Sequence, residues 1–294
     1  MSEKHPGLVE RTFSTGEVQL NYAEGPANGP PLVLLHGLGR RWQVFLPLIP
    51  ALSMRWHIFA PDLRGHGKST HVARGYRGPQ YSDDIACLLR ERVPAPAVIF
   101  GHSLGGMLAM SVAASHLEPG HPEFVRALIL GDNLIAVRQL HNPMYTALFS
   151  GLRDLARAGG SVEQVARGIG RIVLPAPSGG SVAIHELPGN DEPYLISWAR
   201  CVLQIDADAY EMTLDGSSLD GWDGEALLRS ITCPTLLLQG ASELGGLMSD
   251  ADVALATRLL LHHTHVKFRN LGHALFIQQP EPVLRAVMNF LESL

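Results

Sequence analysis

Val98-Ile99-Phe100-Gly101-His102-Ser103-Leu104-Gly105-Gly106-Met107 is the stretch on which the reading of this chain turns. A β-branched and aromatic run ends in Gly-x-Ser-x-Gly, and a small-residue helical pattern follows through Ala109, Ala113 and Ala114. The pattern predicts a strand, a tight turn and a helix, with Ser103 at the apex. Such a turn strains the backbone of its apex residue, and only small neighbours leave room for it. Gly101 and Gly105 supply that room, and Gly106 lets the helix approach the strand. The Ser103 hydroxyl is then expected to stand clear of the sheet at the positive end of a helix.

Working outward, buried strands alternate with helical segments from residue 32 to 132. Leu32-Val33-Leu34-Leu35 is a continuous apolar run, as expected of a strand covered on both faces, and it ends in His36-Gly37-Leu38-Gly39. A helix is expected from about Trp42 to Leu52. The short strand from His57 to Ala60 closes on Pro61-Asp62-Leu63-Arg64-Gly65-His66-Gly67-Lys68-Ser69. An apolar stripe at Ile85, Leu88 and Leu89 marks a helix over 80–92, and Leu128-Ile129-Leu130 is a strand ending at Gly131-Asp132-Asn133. An opening hairpin is expected over residues 8–22, around Gly16. Strand–helix alternation implies a mostly parallel sheet, whose site lies at the carboxyl ends of its strands.

The alternation breaks between residues 134 and 226. Apolar residues there recur at helical spacing, separated by breakers at 175–180 and 188–193. This reads as a helical cap over 134–226, inserted after the sixth strand into a core made of 1–133 and 227–294. Alternation resumes with Thr235 to Gln239, a helix near 251–261, a strand from Thr264 to Phe268, Gly272-His273, and a last helix from about Pro282.

Composition narrows the function classes. Apolar residues make up 46% and charged residues 17%, which suits a large buried core. The formal charge of −5 comes without a basic block, so neither nucleic acid nor a membrane surface is an expected partner. Cys87, Cys201 and Cys233 are odd in number and widely spaced, and read as buried thiols of a reducing compartment. Met1 to Pro6 offers no apolar leader segment, so the expected location is the cytoplasm. His263 and His265 would share a strand face, but no further ligand completes a metal set, and no nucleotide loop is present. No metal and no cofactor are expected.

Four landmarks stand in order at strand ends: His36-Gly37-Leu38-Gly39, the Asp62–Ser69 turn, Gly101-His102-Ser103-Leu104-Gly105 and Gly272-His273. In these the chain resembles the α/β-hydrolase superfamily, and more narrowly a capped bacterial esterase, lactone hydrolase or carbon–carbon hydrolase. The resemblance implies an α/β-hydrolase fold and a carboxylesterase-like serine hydrolase that cleaves an ester or related acyl bond through an acyl-enzyme. The expected partner would be a small-molecule ester, lactone or other acyl substrate, and the sequence does not give the oligomeric state. Ser103 would be the nucleophile, and His273 the base and then the acid. Glu243 is the expected triad acid, after the penultimate strand, with Asp132 the alternative. The Leu38 and Leu104 N–H groups would form the oxyanion hole. Trp42, Tyr145, Phe149 and Trp198 are the expected substrate-pocket residues.

Serine at the elbow argues against dehalogenase and epoxide hydrolase chemistry, which need a carboxylate there. Lactone and carbon–carbon bond hydrolysis stay open, as do a ligand-binding receptor and a cofactor-free lyase on the same fold. The Asp62, Arg64 and His66 turn reads as a structural hydrogen-bonded unit.

Overall fold

In the computed structural model, residues 7–94, 96–115, 124–136, 142–175 and 179–294 are described. Met1 to Pro6, and 176–178 of the first breaker segment, lie outside them. The elements run β1 (Val9–Ser14), β2 (Gln19–Glu24), β3 (Pro31–Leu35), α1 (Ile49–Leu52), β4 (His57–Pro61), α2 (Gly78–Arg92), β5 (Ala97–His102), α3 (Leu104–Ser115) and β6 (Val125–Gly131). They continue with α4 (Pro143–Ala158), α5 (Val162–Gly170), β7 (Val173–Pro175), β8 (Ser181–Ala183), α6 (Glu192–Val202), α7 (Ala207–Leu214) and α8 (Gly224–Ser230). The chain closes with β9 (Thr235–Gln239), α9 (Asp250–Leu259), β10 (His263–Lys267) and α10 (Pro280–Glu292).

Eight strands form one sheet in the order β1-β2-β4-β3-β5-β6-β9-β10. The pairs β1–β2 and β2–β4 are antiparallel, and every later pair is parallel. β3, β5 and β9 are buried along their whole length, which explains their unbroken apolar runs. Their side chains divide by the two-residue period of a strand. Val33, Leu35, Ile99, Leu128 and Leu130 join one core with α2 and α3, and Leu32, Leu34, Val98, Phe100 and Ile129 join the other with α1 and α10. The parallel crossovers bring the ends of β3, β4, β5, β6 and β9 to one edge, where the four landmark motifs meet.

The segment expected to be one helix from Trp42 to Leu52 is a 3-10 turn over Trp42–Phe45 and then the short α1. Pro47 and Pro50 explain the break, because proline has no N–H for the helical ladder. Between β6 and β9 the chain builds α4 to α8, with β7 and β8 paired as a small antiparallel sheet. Helix α8 crosses the expected boundary at residue 226 and lies against α3. The inner residues of this insertion, among them Leu152, Val165, Ile169 and Val202, continue the α2–α3 core. Of the three cysteines, Cys201 is buried and Cys87 and Cys233 are half-buried. No helix among the described residues is long and apolar enough to cross a membrane.

Candidate active site

Ser103 sits between β5 and α3 with φ at +55°. Asp132 (+46°) and Leu275 (+35°) are two of the other three non-glycine residues with positive φ among those described. Conformations of this kind cost on the order of 1–3 kcal/mol each, so backbone strain is concentrated at one edge of the sheet. The glycines of the elbow have steric reasons. A Cβ on Gly101 would lie 2.2 Å from Gly105 O, and one on Gly105 would lie 2.1 Å from Leu35 O. The turn is fastened from both sides: the Ser103 N–H donates to Gly131 O at 2.9 Å, and Ser103 O accepts from the Gly106 N–H at 2.9 Å.

His273 and Asp132 meet at this edge. The His273 Nδ1–H donates to Asp132 Oδ2 at 2.8 Å, which leaves Nε2 as the free ring nitrogen. Asp132 is fully buried, and it also accepts from the N–H groups of Gly240, Leu247 and Met248 at 2.9, 2.7 and 3.2 Å. Burial by itself would raise its pKa, but the hydrogen bond and charge of His273 and the backbone donors outweigh that and hold the carboxyl below its ordinary value.

Glu243, the expected acid, is not part of this pair. It lies in the exposed 3-10 turn Ser242–Leu244, while the chain on either side of it supplies Gly240 and Leu247 to Asp132. The loop after β9 thus folds around the Asp132 carboxylate instead of presenting one of its own.

Two further histidines fasten the loops around Ser103. His36 Nδ1–H donates to Gly37 O at 2.8 Å, and its Nε2 accepts from the Leu63 N–H at 3.0 Å. His66 Nδ1–H donates to Arg64 O at 2.8 Å, and its Nε2 accepts from the Gly39 N–H at 3.1 Å. Both rings must be neutral to accept, and burial enforces this: His36 is held well below its ordinary pKa and His66 is lowered to about 4. The Asp62–Ser69 turn is hydrogen-bonded internally, as expected. Asp62 accepts from Trp42, Asn21 and Lys68, and Arg64 pairs with Asp84 at 2.6 and 2.8 Å. Its grip on Gly39 through His66 was not legible in the spacing.

The loop after β3 passes directly over the elbow, since a Cβ on Gly37 would stand 2.9 Å from Ser103 Cβ. Neither the Leu38 N–H nor the Leu104 N–H reaches an acceptor among the described residues. The His102 ring lies beside both this loop and His273, its Nδ1 3.4 Å from where a Cβ on Gly37 would stand and its centroid 4.8 Å from that of the His273 ring. Its Nε2–H donates to His273 O at 2.8 Å, so it supports the loop that carries His273.

The residues expected in the pocket separate. Trp42 belongs to the core on the α1–α10 face, and its indole N–H donates to Glu10 at 3.0 Å, away from Ser103. The direction in which the chain leaves the Gly39 turn decides this, and spacing does not report it. Tyr145 and Phe149 stack at 6.2 Å between centroids, and Phe149 stacks on Tyr210 at 6.0 Å. This aromatic row runs from Gly245, whose carbonyl accepts from Tyr145 Oη at 3.2 Å, to Gly39, against which Tyr210 packs. Trp198 lies under the Arg40 guanidinium, 4.1 Å from its ring centroid. Arg40 and Tyr210 went unnoticed in the sequence, where neither belongs to a motif. On β10, His265 donates to Gln239 Oε1 at 3.0 Å, and His263 lies 3.2 Å from Leu260 O.

A profile of the alpha/beta hydrolase fold matches residues 30–280, which span most of the chain. The chain belongs to the α/β-hydrolase fold family. Its β1-β2-β4-β3-β5-β6-β9-β10 order carries that family's landmarks at the strand ends. The chain is 33% identical over 125 residues to 2-(acetamidomethylene)succinate hydrolase of Mesorhizobium japonicum, covering 42% of this chain and 43% of that protein. It is 43% identical over 90 residues to the magnesium-chelatase 30 kDa subunit of Rhodobacter capsulatus, covering 30% and 32%. These alignments span less than half the length of either relative. The solved structure of E-2-(acetamidomethylene)succinate hydrolase superposes with a TM-score of 0.70 at 25% identity, over 97% of this chain and 99% of that one.

Proposed function

We propose that this α/β-hydrolase is a serine hydrolase that cleaves a carboxylic ester or a related acyl bond through an acyl-enzyme. The observation that carries the reading is the 2.8 Å contact between His273 Nδ1 and the buried Asp132, at the same sheet edge as the strained Ser103 elbow. In this reading Asp132 holds the imidazole in the tautomer whose Nε2 can take a proton. Ser103 Oγ attacks the carbonyl carbon as its proton passes to His273 Nε2. The carbonyl oxygen gains negative charge, and the Leu38 and Leu104 N–H groups, lacking other acceptors, are free to receive it. His273 then protonates the leaving alcohol, and water, activated by the same ring, releases the acid. Asp132 stabilises the imidazolium in both steps.

The helices α4 to α8 form the roof of the site in this proposal, with Tyr145, Phe149 and Trp198 facing the substrate. One relative is named a hydrolase of a succinate derivative, which favours acyl chemistry for this chain. The test is a fluorophosphonate probe followed by intact-mass measurement and turnover of short-chain esters. One adduct per chain on wild type and none on Ser103→Ala is the expected result. A folded wild-type protein that takes up no probe and turns over no ester would overturn the proposal.

A further inference from the structure

Two polar side chains beside the loop after β3 have no use in the mechanism above. Arg40 ends the Gly37–Arg40 turn, its N–H donating to Gly37 O at 3.1 Å. A closed turn of this kind keeps its first and last Cα within about 7 Å, so Arg40 starts one turn's width from the residue that covers Ser103. Its guanidinium is half-buried. It donates to Tyr194 Oη at 2.8 Å and lies over the rings of Trp198 and Tyr194, at 4.1 and 5.5 Å from their centroids. Aromatic faces attract the cation but accept none of its in-plane N–H groups. No carboxylate among the described residues pairs with it, whereas Arg64, which also follows a strand of the sheet, pairs with Asp84 and Glu17.

Tyr210 is the second group. It is fully buried, its hydroxyl has no hydrogen-bond partner among the described residues, and that hydroxyl lies 2.0 Å from where a Cβ on Gly39 would be. An unsatisfied buried hydroxyl costs about 1–3 kcal/mol, so the fold carries this group at a penalty. The charge of Arg40 is felt at the Tyr210 hydroxyl and at His36 and His102, whose burial holds both rings neutral.

We propose that Arg40 and Tyr210 form a carboxylate subsite, so that the acyl compound attacked by Ser103 carries a second, ionised carboxylate within a few bonds of the reacting carbonyl. The inference rests on the serine-hydrolase reading above. A carboxylate matches the two parallel N–H groups of a guanidinium fork, and its single charge balances the single charge present. A phosphate dianion would leave one charge unmatched in a half-buried place.

The experiment compares kcat/KM for monomethyl glutarate and methyl pentanoate, which have the same acyl length and differ in the terminal charge. Wild type is expected to prefer the anionic ester by at least tenfold, mainly through KM. Arg40→Gln should reduce that ratio by at least tenfold, Arg40→Lys by less, and Tyr210→Phe by about threefold. If Arg40 only fastens α6 to the core, both rates fall together and the ratio does not move, which overturns the proposal. A wild-type ratio near one also overturns it. Calorimetric titration with succinate separates the two readings if no ester is turned over. Binding that weakens at least tenfold in Arg40→Gln supports the subsite even when the probe leaves Ser103 unlabelled. Succinate binding that is absent, equal in the variant, or weaker than that of inorganic phosphate overturns it.

Discussion

The rim of the sheet is tied together by hydrogen bonds, whereas the helical insertion meets it largely through aromatic rings. Along the rim, from His36 through the Asp62–Ser69 turn to Asp132, a dense network joins the loops, although the Leu38 and Leu104 N–H groups, His102 Nδ1 and Asn133 Oδ1 have no partner among the described residues. His36 and His66 each make two hydrogen bonds, and Asp132 accepts four. The insertion is joined to the rim by aromatic rows, by Tyr145 on Gly245 and by Arg40 on Tyr194 and Trp198, and it leaves the Tyr210 hydroxyl unsatisfied. A hydrogen-bonded network holds atoms in one geometry, as the acyl transfer proposed above requires. On that proposal the rim carries the reaction, and the aromatic face of the insertion contributes to substrate choice.

The largest expected effect tests the rim. Asp132→Asn keeps the shape but favours the wrong imidazole tautomer, and should lower kcat by roughly 10⁴-fold. Glu243→Ala, at an exposed turn, should leave kcat within about a factor of three and stability within about 0.5 kcal/mol. Steady-state ester hydrolysis together with urea midpoints distinguishes the two. The reverse pattern, with Glu243→Ala collapsing kcat while Asp132→Asn stays active, would return the acid to the loop after β9.

A smaller effect concerns pH. The buried rings of His66 and His102 are lowered to about 4 and about 3, by burial first and then by neighbouring charge. Above the unfolded value of about 6.5 both states are neutral and stability is unaffected. As pH falls below 6.5 the unfolded chain binds protons that the folded chain refuses, so stability falls with pH until the folded values are reached. His66 alone accounts for a loss on the order of 3 kcal/mol between pH 6.5 and 4. Urea unfolding at pH 7, 5.5 and 4.5 should show it, and His66→Gln, which keeps an acceptor for Gly39, should flatten the slope. An equally steep slope in that variant would show that His66 is not the source.

The smallest effect lies at the joint between the two regions. Tyr145→Phe removes the hydrogen bond to Gly245 O and keeps the ring stack on Phe149. A loss of about 1 kcal/mol in unfolding free energy is expected, with ester kcat changed by less than threefold. A loss above 3 kcal/mol would mean that this hydrogen bond, and not the aromatic rows, fastens the insertion to the rim.

Much of the rim could be read without coordinates, because its signals are local. The elbow needs glycine at positions 101 and 105 for reasons that lie within four residues, and a strand buried on both faces writes itself as an apolar run. The place of His273 after the last strand was readable without coordinates. Its carboxylate partner was not, because Asp132 and Glu243 both follow strands and differ only in how the loop after β9 folds. Trp42 failed for a related reason: its side chain leaves the Gly39 turn toward the α1–α10 core.

By itself, then, the sequence determined the strand–helix order and which residues stand at the strand ends, Ser103 and His273 among them. Those follow from periodicity, glycine sterics and order along the chain, which are properties of neighbours. The tertiary structure decided that Asp132 meets His273, that Glu243 and Trp42 do not face Ser103, and that Arg40, bonded to Tyr194, meets no carboxylate among the described residues. Each of these depends on contacts between residues distant in sequence, where side-chain direction and burial are set by packing and spacing carries no record of them.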